Sequence, residues 1–175
     1  AMVDAHVHFM SNAGKMERRA FVGGAVDLTV ANAAAAASLL NSDRTAYCYP
    51  GIYDYDALGN LTLYPPYILA SAIGGAFSGI NPGEPMTNKP LAVYGVETQL
   101  NNPTDTDFLI TAGVLAITKT NRGFRVVKSI STWLNDGKYN RVEVSTGAAV
   151  DFVSRNVREA LESLVGRKAS PITLG

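Results

Sequence analysis

Cysteine is almost absent from this 175-residue chain, and the single Cys48 excludes an intrachain disulfide and a multi-cysteine zinc site. Flanked by Tyr47 and Tyr49, it sits in an apolar strand pattern, where burial raises a thiol's pKa and removes it as a nucleophile. Histidine is nearly as scarce: His6 and His8 are the two imidazoles from which a catalytic base or ligand set could draw. Neither sign of charge is in excess, since fifteen Lys and Arg balance fifteen Asp and Glu. No basic cluster interleaves with aromatics, so no nucleic-acid partner is expected. Long apolar runs are missing too. The richest tracts, Ala31–Leu40 and Ile68–Phe77, are too short to cross a bilayer, and no membrane partner is expected. No basic start, apolar middle and small-residue cleavage site forms a signal peptide, and Ala1-Met2 reads as an expression scar or a cut edge.

What is present is apolar residues at 47% and charged residues at only 17%, a globular composition with little charge for a lone domain. Such a surface fits a protein covered by neighbours. The alternation of Val3, Ala5, Val7 and Phe9 with Asp4, His6 and His8 predicts a strand over Val3–Met10. A second strand is expected over Glu17–Val22, stopped by Gly23-Gly24, and then a helix capped by Asp27 or Thr29 and running to about Leu40. Thr45–Tyr49 reads as a strand stopped by Pro50-Gly51, and a hairpin turns at Gly59 into Leu61–Tyr64. Pro65-Pro66 can open a helix through Ser78, within which Gly74-Gly75 implies close approach by another backbone.

After the irregular, proline-rich loop Asn81–Pro90, a strand is expected over Leu91–Val96 and a short helix over Asp107–Ala112, capped by Thr104 or Asp105 and closed by Gly113. Val114–Thr120 and Phe124–Ser131 flank Asn121-Arg122-Gly123 as a hairpin. A long helix starts between Arg141 and Thr146. Its residues Val150, Val153, Val157, Leu161 and Leu164 share one apolar face, while Arg155, Arg158, Glu159 and Glu162 are expected to face solvent or a partner. Ser170-Pro171 ends regular structure and the chain looks cut at Gly175. Strands alternating with helices, together with two hairpins, predict an α/β fold with a mixed β-sheet and helices packed on it.

Chemistry has few places to gather. On a strand His6 and His8 would project from one face, the spacing with which a first strand opens a metal site, but no later series of acids or histidines completes it. A serine hydrolase would need His6 or His8 as base, and no Gly-x-Ser-x-Gly elbow exposes a nucleophile. Gly23-Gly24-Ala25 lacks both the dinucleotide fingerprint and a P-loop lysine, and reads as a strand-to-helix turn. Asp54, Asp56, Asp105 and Asp107 complete no calcium loop and read as turn and cap residues. No catalytic, cofactor-binding or metal-binding residue is therefore assigned, and no cofactor is expected.

Several stretches, taken in order, resemble contractile tail sheath proteins of bacteriophages. They are Asp4-Ala5-His6-Val7-His8, Gly14–Ala20 with Val22-Gly23-Gly24, Tyr49-Pro50-Gly51-Ile52, Pro65–Ala70, Met86–Leu91, Leu109–Val114, Arg125–Trp133 and Arg141–Glu162. The resemblance implies the middle, subtilisin-like sheath domain without a protease triad over residues 1–169, with 170–175 a truncated linker toward a further C-terminal domain. It implies a structural, non-enzymatic subunit of the virion tail, assembled in the bacterial host cytoplasm, that polymerises with other sheath subunits and contracts to drive the tube through the host envelope. Contact with the tail tube protein would come from segments outside this chain. Two other readings stand beside it: a metal-dependent hydrolase using the His6/His8 pair, and an α/β binding module with its ligand near Gly23-Gly24.

Overall fold

The computed structural model describes residues 2–166. In chain order the elements are α1 (Met2–Asn12), β1 (Ala20–Gly23), α2 (Val30–Leu40), β2 (Thr45–Tyr49), β3 (Ile52–Tyr55), β4 (Leu61–Tyr64) and α3 (Pro66–Ser78). There follow β5 (Pro90–Leu91), β6 (Gly95–Val96), α4 (Pro103–Thr111), β7 (Val114–Thr120), β8 (Gly123–Val126), α5 (Tyr139–Val142) and α6 (Val144–Glu162). The mixed sheet is present as expected, in the order β1-β2-β7-β8-β5. Strands β1, β2 and β7 run parallel, and β7–β8 and β8–β5 pair antiparallel. A separate three-stranded antiparallel sheet, β4-β3-β6, holds the expected hairpin.

The central strands β2 and β7 are apolar on both faces because both faces are covered. Ala46, Cys48, Leu115 and Ile117 point into a core with Leu69, Ala70 and Ile73 of α3 and the fully buried Met86 and Val126. Tyr47, Tyr49, Val114 and Ala116 point the opposite way, into a core with Ala33, Ala34 and Ala37 of α2 and Leu109 of α4. The alanines of α2 let its backbone lie close to the sheet, and Thr29 caps it by accepting a hydrogen bond from Asn32 N. Gly23 allows a similar approach on the other face. A Cβ there would stand 2.3 Å from the Pro66 carbonyl carbon, so the end of β1 and the first turn of α3 can meet only at glycine.

Several expectations are corrected. Val3–Met10 is helical, part of α1, which sets Asp4 and His8 one turn apart on one face: Asp4 accepts from Thr45 Oγ1 at 2.7 Å, and His8 Nε2 lies 3.0 Å from Ser42 Oγ. Val7 and Ser11, one helical turn apart, are its buried residues, whereas Val3 and Phe9 of the alternating set are exposed. The cap of α4 is Asn102, which accepts from Thr104 N and allows Pro103 to open the helix. Leu91–Val96 is split between two sheets, as β5 and β6. The strand expected to reach Ser131 ends at Val126, and the segment beyond it crosses to an isolated bridge between Ile130 and Glu143. In α3, Gly74 faces the Phe21 ring rather than a backbone, and nothing approaches Gly75. The expected boundary between residues 169 and 170 lies outside the described residues.

Candidate functional site

On α1 the two histidines no longer share a face, since a helix turns by roughly 200° over two residues. His6 is exposed, and His8 is directed toward the segment before β2. There the fold builds a grouping invisible in the sequence: His8 Nε2 stands 3.0 Å from Ser42 Oγ, 3.5 Å from Asp4 Oδ1 and 3.9 Å from Asp43 Oδ1. A serine relay requires the hydroxyl on one ring nitrogen and a carboxylate on the other. Here hydroxyl and carboxylates all approach Nε2, and Ser42 Oγ is buried, accepting from Arg44 N and reaching Thr45 Oγ1. The arrangement seats α1 on the N-terminal end of β2. Among the described residues, no group of three or more His, Cys, Asp or Glu is placed to hold a metal ion.

The other sequence candidates are likewise built into the scaffold. Cys48 is fully buried, and burial pushes its thiol far above the ordinary value. Gly23 and Gly24 lie at the end of β1, with Tyr47 and Leu28 closing over Gly24. Asp56 Oδ1 accepts from Leu58 N and Asn60 N, which closes the β3–β4 turn. Asp105 lies in the first turn of α4, where its charge suits the helix dipole. No helix among the described residues is long and apolar enough to cross a membrane.

The long helix α6 departs most from expectation. Its charged side faces the body. Asp151 pairs with Arg19 at 2.8 Å and Arg44 at 3.2 Å, Glu17 pairs with Arg44 and Arg158, and the Arg19 guanidinium lies over Gly147, where a Cβ would be 2.3 Å away. Burial pulls the Arg19 guanidinium below its usual value, and Asp151 opposes the shift. The predicted apolar face is turned to solvent instead: Val153 is 59% exposed and Val157 51%. No local signal joins Arg19 to Asp151, which are 132 positions apart.

A second exposed apolar surface lies on the three-stranded sheet. Tyr55 and Tyr94 meet edge to face at 4.6 Å, beside Leu61 and the turn residue Leu58, which is 86% exposed. With the apolar side of α6, these are surfaces that a lone protein normally hides.

No protein-family model matches the chain. In sequence it is 34% identical to the tail sheath protein of Bacillus phage SP01 over 173 residues, covering 97% of this chain and 30% of that protein. The chain thus spans about 30% of the length of this curated relative. Its fold is similar to that of the sheath tail protein from Desulfitobacterium hafniense, with a TM-score of 0.72, 13% identity, and coverage of 96% of this chain and 37% of that one. It is also similar to the PVC sheath complex of an extracellular contractile injection system in its contracted state, with a TM-score of 0.73, 16% identity, and coverage of 98% and 48%.

Proposed function

We propose that this chain, a relative of phage tail sheath proteins, is a structural segment of a contractile sheath subunit that polymerises around a tail tube and contracts to drive the tube through the host envelope. The observation that carries the reading is the 34% identity to a phage tail sheath protein over 97% of the chain. The role is mechanical and non-catalytic, its place is the tail of a phage or phage-like particle assembled in the host cytoplasm, and its partners are other sheath subunits and the tube. Contraction needs two packings of the same subunits that differ in free energy and are separated by a barrier. A domain with a close-packed core on each face of its sheet suits that task, because it can be moved as a rigid body while contacts at its surface exchange. Residues 1–169 are read as one such domain, with 170–175 leading onward. The metal-dependent hydrolase finds no support, since α1 parts His6 from His8.

Negative-stain electron microscopy of the protein encoded by the whole reading frame tests the proposal. Hollow, transversely striated tubes are expected. Dispersed particles under every assembly condition, together with a stoichiometric bound metal, would overturn it.

A further inference from the structure

The parallel strands give this domain two unlike poles. Lys15 and Arg18 immediately precede β1, and Arg44 precedes β2, so this end of the sheet is the N-terminal pole. Here a groove of about 660 Å³ opens between the Lys15–Arg18 segment and the far half of α6. Met16, Leu161 and Val165 contribute its apolar lining. Lys15, Arg18, Arg155 and Arg158 rim it, against the carboxylates Glu159 and Glu162. Arg158 is paired with Glu17, whereas Lys15, Arg18 and Arg155 have no carboxylate partner among the described residues.

The hairpin at the opposite pole carries carboxylates and no cation. β3 begins at Ile52, directly beyond the C-terminal end of β2, and the hairpin it forms presents Tyr55, Leu58 and Leu61 to solvent, with Tyr94 of the segment before β6 beside Tyr55. Its charged residues are Asp54 and Asp56, and no Lys or Arg occurs anywhere between Arg44 and Lys89. An acidic, aromatic knob thus stands at one end of the strands and a basic-rimmed apolar groove at the other.

We propose that neighbouring copies of this chain dock head to tail, with the β3–β4 hairpin of one copy seated in the groove between Lys15–Arg18 and α6 of the next. Tyr55, Leu58 and Leu61 fill the apolar floor, and Asp54 meets the unpaired cations of the rim. Because the two surfaces are different patches at opposite poles, the contact is heterologous and does not close on itself as a two-fold dimer must. Repeated, it makes an open row of subunits. The proposal rests on the sheath reading only in expecting such an open order, since the complementarity belongs to this chain.

Disulfide trapping tests it directly, because native Cys48 is buried and stays silent. Leu58→Cys and Leu161→Cys variants of the chain, each confirmed folded by circular dichroism, are mixed and mildly oxidised. The 58–161 heterodimer is expected to form several-fold faster than either like-with-like dimer. It should also outpace a control pairing of Leu58→Cys with Leu39→Cys on exposed α2, and the double variant should give a ladder of oligomers. Arg18→Glu with Arg155→Glu should suppress trapping, and adding Asp54→Lys on the partner should restore it. Raising the ionic strength to about 1 M, where the Debye length falls to ~3 Å, should slow it. Equal rates for 58–161 and 58–39, or a dominant 58–58 or 161–161 dimer, would overturn the proposal. Trapping needs no sheath, so if it fails while the whole protein still forms striated tubes, the docking is wrong and the sheath reading survives. If trapping succeeds and no tubes form, the reverse holds.

Discussion

Gly23 lies where a strand and a helix touch backbone to backbone, so at this position a single methyl group matters. Because its Cβ would stand 2.3 Å from the Pro66 carbonyl carbon, Gly23→Ala must push α3 off β1, and we expect a loss of about 1–3 kcal/mol in urea denaturation. Cys48 is fully buried with its thiol pushed upward, and native protein at pH 8 should therefore leave a thiol reagent unreacted until urea unfolds it. Asp56 is the opposite case. The backbone N–H of Asn60, with others of the turn, holds its carboxyl below the ordinary value. A depressed carboxylate contributes stability that is present above its unfolded pKa and lost as pH falls through the folded one. Asp56→Asn should therefore weaken the hairpin at pH 7 and narrow the difference between pH 7 and pH 3, as read by amide exchange at Leu58 and Asn60. Asp56 as a turn residue was legible because Asp before Gly59 and Asn60 is turn chemistry. The grouping of Ser42 and Asp43 around His8 was not, because α1 meets that loop only in the folded chain.

Among the elements, α6 is attached by charge more than by apolar packing. Asp151 is held between Arg19 and Arg44, all three side chains at most 15% exposed. Asp151→Asn would leave the poorly solvated Arg19 without its carboxylate and Arg44 with Glu17 alone, and we expect a cost of about 2 kcal/mol, measured by thermal denaturation. Val157 on the same helix is 51% exposed, so Val157→Ser should stay within about 0.5 kcal/mol of the parent. The reverse ranking would mean that α6 packs by its apolar side. The period of this helix was readable because spacings of three and four repeat over several turns. Which side meets the body was not, since periodicity defines a face without saying what covers it. Likewise α1 and a strand both fit eight residues of alternating character, and hydrogen bonds to Ser42 and Thr45 decide for the helix.

For the whole molecule, the two cores share β2 and β7, whose alternate residues enter one or the other. Damage to one core should therefore reach the second. Leu115→Ala, in the core beneath α3, is expected to cost about 2–5 kcal/mol. Its unfolding transition should shift equally whether followed by far-ultraviolet circular dichroism or by the fluorescence of Trp133, which lies beyond β8. Separated transitions would show that the layers unfold independently. At this scale the unlike poles matter most, because a subunit with a knob at one end and a groove at the other is suited to rows rather than pairs.

The mixed α/β class, the two hairpins, α2, α3 and α6, and an order of short motifs resembling sheath proteins were all legible along the chain. Each depends on residues close together in the chain, where propensity, turn chemistry and periodicity act. The folded arrangement alone parts His6 from His8, turns the apolar side of α6 to solvent, and puts the acidic hairpin and the basic-rimmed groove at opposite ends of the strands. Those outcomes depend on pairings such as Arg19 with Asp151 and Asp4 with Thr45. Local preferences are too weak to set contacts across such distances, and burial and charge pairing in the folded chain override them.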